Sequence, residues 1–487
     1  MPVFSLPSRF GIGSFGKEAE RFIDFLEKAG QSYWQILPLG PTSFGDSPYQ
    51  AFSSFAGNPY FIDIDSLIDE GLLLESEALL YDFGTDESRV DYALLYENRL
   101  PLLRRAFSRF KPDKDYYDFC LENGFWLNEY VLFTAIKKAA GDRPWTEWDE
   151  NLRNRDAAAI ADFTAEFESE LRFYKFLQYK FFSQWRALKS YANKKGIKII
   201  GDIPIYVALD SADVWAEREQ FLLKDGTPTA VAGCPPDAFT EEGQLWGNPL
   251  YDWDKMKADG YAWWKRRIGF SLSLFDVVRI DHFRGFEAYY AVPYGAENAK
   301  GGCWHKGPGI ELFAELAKQF GDMPIIAEDL GFLTEPVREL LAATRFPGMK
   351  VLQFAFDSRE ESDYLPHNYT KNCVVYTGTH DNDTVLGWEK TAPTEDVEFA
   401  KKYMNAYKGE ALNFAMLRLA MQSVADTAIF MMPDLLSCKS EARINTPSTL
   451  GENWVWRTSG GCINDWLAGI MREYTALYGR LPKGMDQ

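Results

Sequence analysis

Residues 275–286, FDVVRIDHFRGF, join a strand pattern to a charged turn. Over 275–281 the valines and isoleucine favour extended chain, and a strand's two-residue alternation puts Arg279 and Asp281 on one side. Six other short stretches have the same character, at 33–39, 197–203, 325–329, 349–356, 373–379 and 427–432. Helical patterns lie between several of them. In 17–29, Ala19, Phe22, Ile23, Leu26 and Ala29 repeat at helical spacing before Gly30. A second helix is expected over 310–320, a third from an N-cap at Thr334 to 343, and a fourth over 410–424.

Strand and helix alternating this often imply a parallel sheet, either open and doubly wound or closed as a barrel. No Gly-x-Gly-x-x-Gly follows any strand, which favours the α/β class as a (β/α)8 TIM barrel with helical and loop insertions. Residues 3–6 offer an eighth strand, clipped at its start. The interval from 39 to 197 is too long for one connection, so the expected division is a barrel from 1–64 and 190–487 with a mainly helical insertion at 65–189. Within it Phe173, Leu177, Phe181, Trp185, Leu188 and Ala192 make one apolar stripe suited to core packing. A second insertion, 206–264, is rich in Gly, Pro and aromatic residues and is expected as a loop over the site.

The 487 residues carry 52 Lys+Arg against 71 Asp+Glu, a net charge of −19, which repels nucleic acid and anionic lipid surfaces. No apolar run reaches the ~18 residues of a membrane span, and the proline-bearing N-terminus lacks the pattern of a secretory leader. Six scattered cysteines without a Cys-x-x-Cys pair fit free thiols in a reducing cytoplasm. The 16% aromatic content, with 15 Trp, suits sugar-binding surfaces and large cores alike.

Acids and histidines gather at the C-terminal ends of the expected strands, where a barrel builds its site: 201–204, 279–285, 327–331 and 377–383. Arg279 beside Asp281 favours the ionised carboxylate that a nucleophile requires. Glu328 follows the apolar 325–327 and precedes Asp329, so desolvation and like charge would raise its pKa, as a general acid requires. Two carboxyl groups driven apart in pKa are the equipment of glycoside chemistry. Ordinary salt-bridged strand ends and a His/Asp/Glu metal site remain open as alternatives.

At this point the sequence resembles the 4-α-glucanotransferases called amylomaltase or disproportionating enzyme, relatives of the α-amylases. The resemblance is carried by residues 34–41 (WQILPLGP), 45–50 (GDSPYQ), 56–60, 201–206, 246–249 (WGNP), 279–286, 327–331 and 377–384. It implies a (β/α)8 barrel, no metal or organic cofactor, and malto-oligosaccharides and glucose as donors and acceptors. By the same resemblance Asp281 is the nucleophile, Glu328 the acid/base and Asp381 the third carboxylate, which stabilises the transition state. Arg279 and His380 line the subsite of the cleaved glucose, and Phe239 and Trp246 belong to a mobile loop over the acceptor side. Asp202, Tyr49, Asp237 and His282 complete the expected substrate contacts. The implied reaction is retaining transfer of α-1,4-glucan segments. Its rivals are an amylase-like hydrolase, a metal-dependent barrel enzyme and a silent starch-binding protein. Phe44 stands where some members have tyrosine, and Ser448 where glycine is expected.

Overall fold

The computed structural model describes residues 1–43, 45–236, 241–331, 333–406 and 409–484. Seven parallel strands form one sheet: β1 Tyr33–Gln35, β2 Lys198–Pro204, β3 Val277–Asp281, β4 Ile325–Ala327, β5 Gly348–Val351, β6 Cys373–Tyr376 and β7 Thr427–Ile429. Their spatial order is their chain order, each pairing with the next, which is the order of a barrel and not of a doubly wound sheet. Most strands stop earlier than their composition suggests. Residues 36–41 contain Pro38 and Pro41, which lack the N–H that would extend β1, and β5 tightens into a 3-10 turn at Leu352–Phe354.

Alternation sorts the side chains. Ile200, Ile326, Met349, Val351, Val374 and Tyr376 pack together as the barrel interior. Their strand neighbours, among them Ile199, Ile203, Val278, Ile280, Ile325 and Ala327, join the larger core beneath the helices. Asp202 has the parity of Ile200, and Arg279 is in register with Ile326, so both rise on the inner side at the C-terminal end. The outer helices include Lys17–Lys28, Ile310–Phe320, Glu335–Thr344 and Leu412–Gln422, close to the sequence expectation. Between β1 and β2 the chain is mainly helical, ending in the 27-residue helix Glu168–Lys194 that buries Phe173, Leu177, Phe181, Trp185, Leu188 and Ala192.

The expected eighth strand at 3–6 is a 3-10 turn, Val3–Ser5. Its backbone bonds go elsewhere: Gly13 donates to Phe4, Thr458 donates to Ser5, and the Ser5 hydroxyl donates to the Trp456 carbonyl. Pro2 and Pro7 at its flanks have no N–H to offer a ladder. Among the described residues β1 and β7 share no ladder, and a cavity of about 450 Å³ lies between them, lined by Trp34, Ala428 and Met471 among others.

The insertion at 206–264 is more regular than a loop. Its strands Ala230–Cys234 and Gln244–Pro249 pair with Ala288–Pro293 and Cys303–Lys306, outside the insertion, in a four-stranded antiparallel sheet. Because Ala288 follows the short turn Phe283–Phe286 that ends β3, this sheet stands at the mouth of the barrel. Among the described residues no helix is long and apolar enough to cross a membrane, and all six cysteines are free.

Candidate active site

Asp202 on β2 and Arg279 on β3 are register partners, and Arg279 Nη1 donates to both Asp202 carboxylate oxygens at 2.8 and 2.7 Å. The same Nη1 stands 3.0 Å from Asp281 Oδ1, two residues along the strand. Arg279 is 3% exposed and Asp202 1%, so the cation is locked between two carboxylates in a dry interior. Tyr49 donates its hydroxyl to Asp202 Oδ2 at 2.9 Å and lies 3.3 Å from His380 Nδ1, its ring stacked on the imidazole at 4.8 Å. The other imidazole nitrogen, Nε2, is 3.4 Å from Asp381 Oδ1.

Glu328 follows β4. Ala327 pairs with Ile280, and the Glu328 N–H donates to the Ile280 carbonyl at 3.0 Å, so the next position across the ladder is Asp281. Adjacent strands are about 4.8 Å apart, which sets the two acids side by side. His282 turns the chain through the left-handed region, with φ 54°, and its N–H donates to Glu328 Oε2 at 2.6 Å. Leu330 N–H donates to Oε1 at 2.9 Å. A bulky residue in that conformation is strained, and here the turn delivers an amide to a carboxylate.

Burial and the neighbouring Asp281 push Glu328 up to about 7, against the opposing pull of Arg279 and the two amides. The like charge expected from Asp329 is absent from this balance. Asp329 has the opposite strand parity, and its Oδ1 accepts the Met349 N–H at 2.6 Å, outside the barrel interior. The expectation that Arg279 holds Asp281 down is also corrected, because burial outweighs the guanidinium and Asp281 is raised. Arg279 divides its charge between Asp281 and Asp202, whose own negative charge adds to the rise. Arg279 is nonetheless in direct contact with Asp281, whereas Glu328 has only amides, so Asp281 ionises first.

His282 is pushed down to about 3 by burial and by Arg284, so its imidazole is neutral, and its Nε2 is without a hydrogen-bond partner among the described residues. Trp246 meets it edge to face at 4.7 Å. Gln50 donates to the Trp246 carbonyl at 3.4 Å and to Asn248 Oδ1 at 3.1 Å, which ties the 45–50 and 246–249 motifs together. Of the residues singled out in the sequence, Asp202, Arg279, Asp281, Glu328, Tyr49, His380, Asp381, His282 and Trp246 are linked by these contacts. Asp237, Phe239 and Phe44 lie outside the described residues. Ser448, where glycine is expected, has φ 62°, the left-handed conformation that explains a glycine preference.

Three neighbours escaped the sequence reading. Asn445 donates its side-chain amide to Asp381 Oδ1 at 2.6 Å and its backbone N–H to the His380 carbonyl at 3.0 Å. Arg443 donates to the Asp381 carbonyl at 2.6 Å, and Trp454 rests 5.7 Å from His380 and 5.9 Å from Tyr49, with φ 63°. The bond to Asn445 spans 64 positions, for which no spacing rule exists. Among the described residues no group of three or more His, Cys, Asp or Glu is arranged to hold a metal ion, and the cation between Asp202 and Asp281 is the Arg279 guanidinium.

A family model described as 4-alpha-glucanotransferase matches residues 1–463. The 4-alpha-glucanotransferase of Clostridium butyricum is 50% identical over 485 residues, covering 99% of this chain and all of that one. That of Streptococcus pneumoniae is 48% identical over 491 residues, covering 100% of this chain and 97% of the relative. Among solved structures, the amylomaltase from Streptococcus agalactiae in complex with acarbose superposes with a TM-score of 0.97 at 42% identity, over 99% of both chains.

Proposed function

The chain belongs to the 4-alpha-glucanotransferase family, and from that premise we propose that it moves α-1,4-glucan segments between malto-oligosaccharides by a retaining double displacement through a covalent glycosyl-aspartate. The observation that carries this reading is the pair of acids at neighbouring strand ends with different partners: Asp281 against Arg279, and Glu328 against backbone amides with its pKa raised to about 7. Retaining enzymes keep their two carboxyl groups about 5–5.5 Å apart, close to the ~4.8 Å between adjacent strands.

Glu328 enters the reaction carrying its proton and gives it to the glycosidic oxygen as the bond to the anomeric carbon breaks. Asp281, ionised and held by Arg279, forms the new bond to that carbon. A second glucan then brings its 4-hydroxyl, Glu328 takes the hydroxyl proton, and the oxygen displaces Asp281. Asp381, steered by His380 and Asn445, grips sugar hydroxyls as positive charge grows on the ring. Neutral His282 has an unpartnered nitrogen to offer a hydroxyl, and Tyr49 and Asp202 fix the walls of the same subsite. Trp246 shields the intermediate from water so that transfer outruns hydrolysis. The 65–189 helices support the barrel from outside, and the six free cysteines suit a cytoplasmic enzyme.

Incubation with maltotriose tests the reading: glucose plus oligomers longer than the substrate is the expected product set, and maltose plus glucose alone would make the protein a hydrolase. Proton NMR during the first turnovers should give α-configured products, and β-configured ones would overturn the double displacement.

A further inference from the structure

Besides the carboxylates, the mouth of the barrel holds an aromatic surface with no part in the chemistry above. Trp304 sits in the strand Cys303–Lys306 and is 41% exposed, unlike the many tryptophans sealed in the core. Its register partner Tyr290 is buried and meets it edge to face at 5.1 Å, while the Arg284 guanidinium lies 4.1 Å from the Trp304 ring centre. Two fixed neighbours therefore hold a solvent-facing indole in one orientation. Ring order here is set by contacts and needs no ligand to induce it.

The position of this ring relative to the reaction follows from the chain. Arg284 is two residues beyond His282, whose amide holds Glu328; burial lowers the Arg284 pKa, and Glu328 is among the anions that partly offset this. Register across the antiparallel sheet runs from Trp304 to Tyr290, to Gly233 and to Leu245, so these four share a face, and Leu245 is also 41% exposed. Leu245 precedes Trp246, which touches His282. By strand alternation Trp246 points to the other face of this sheet, and on the Trp304 face buried Tyr290 and Gly233 separate the two exposed side chains, so the link from Trp304 to the cleft runs through Arg284, which contacts the indole and follows His282 by two residues. A pyranose ring presents C–H groups on its faces and hydroxyls at its rim, so a flat indole binds the face while the rim stays in water. An α-1,4-glucan is a chain of such faces.

We propose that Trp304 is an outer acceptor-side platform, which stacks a glucose unit of the incoming α-1,4-glucan beyond the one whose 4-hydroxyl attacks. Arg284 sets the ring. The assignment rests on the transferase reading, because only a transferase needs grip on a second glucan. It goes further by naming where acceptor length is sensed.

The test compares glucose, one unit long, with maltotetraose as acceptor at a fixed donor concentration, in wild type, Trp304→Ala and Trp304→Tyr. The expected result for Trp304→Ala is a roughly tenfold fall in the ratio of kcat/KM for maltotetraose to that for glucose, the size of one aromatic contact, with most of the change in KM. Trp304→Tyr should recover most of the ratio because a stacking ring is restored. A ratio that stays at the wild-type value, or equal losses with both acceptors in both variants, would overturn the platform. If wild type itself makes no oligomers longer than its donor, the transferase reading fails first, and the two failures are told apart by the wild-type lane.

Discussion

Glu328 at the end of β4 and Asp434 in the short helix Met432–Leu435 are both buried carboxyl groups pushed up to about 7, and they get there in different company. Glu328 faces a second acid, Asp281, and a cation one group away. Asp434 has Asp383 as a like charge behind burial in its balance, and no cation. Its oxygens accept the Val385 N–H at 2.8 Å and the Thr377 hydroxyl at 2.9 Å, pinning both ends of the 377–385 segment that carries His380 and Asp381. Burial is the first cause in each case. A raised pKa therefore reports desolvation, and what the group faces decides whether its proton does chemistry or holds a loop.

The comparison is broken most directly at Glu328. Glu328→Gln keeps one of the two amide contacts on an isosteric side chain and removes the transferable proton, so kcat should fall about 10³-fold or more. In wild type, an acid near pH 7 means that kcat/KM is lost as pH rises through about 7, roughly tenfold per unit, because the deprotonated form cannot protonate the leaving oxygen. At the low end activity falls as Asp281 takes up its proton, a limb displaced upward by its burial. Residual Glu328→Gln turnover should lack the alkaline limb. Retention of that limb in the variant, measured by oligosaccharide chromatography from pH 5 to 9, would assign it to another group.

The Glu328 half of this contrast was legible in the sequence. The alternation in 275–286 put Arg279 and Asp281 on one side, and the apolar lead-in to Glu328 announced its desolvation. Barrel order also followed from repeated strand and helix patterns. The balance of forces was not legible, because it depends on depth. Asp202 shares the Arg279 charge with Asp281, and that pairing is a register contact between residues 77 positions apart. Asp329 looked like a neighbouring charge until strand parity turned it outward to Met349. The turn at 3–6 hid behind a strand-like composition because its partners, Gly13, Trp456 and Thr458, are fixed by tertiary structure. Asn445 and Asp434 were invisible for the same reason.

Asn445 gives an intermediate effect. Its amide stands closer to the Asp381 carboxylate, at 2.6 Å, than His380 Nε2 does at 3.4 Å, and a hydrogen bond to a charged group contributes about 1.5–3 kcal/mol. Asn445→Ala should lower kcat about tenfold or more with a smaller change in KM, because Asp381 is asked for most when positive charge develops on the sugar. A change confined to KM would make Asn445 a ground-state contact instead.

Asp434→Asn should perturb turnover least and stability in a way that sharpens the pairing with Glu328. The amide oxygen still accepts from Val385, and the Thr377 hydroxyl can rotate to accept from the new N–H, so activity should stay within about threefold. In wild type the folded-state pKa of about 7 lies above the unfolded value near 3.9, so between those limits the folded state binds more protons and stability falls as pH rises. Asparagine has no proton to lose. The stability of the variant relative to wild type should therefore grow from pH 5 to pH 8 by roughly 2–3 kcal/mol in urea unfolding, the two units of titration between pH 5 and about 7. Glu328→Gln should gain in the same direction over the same range while losing its chemistry. If Asp434→Asn instead loses turnover as severely, the loop clamp and the catalytic acid are one coupled system, and the distinction drawn from their surroundings does not hold.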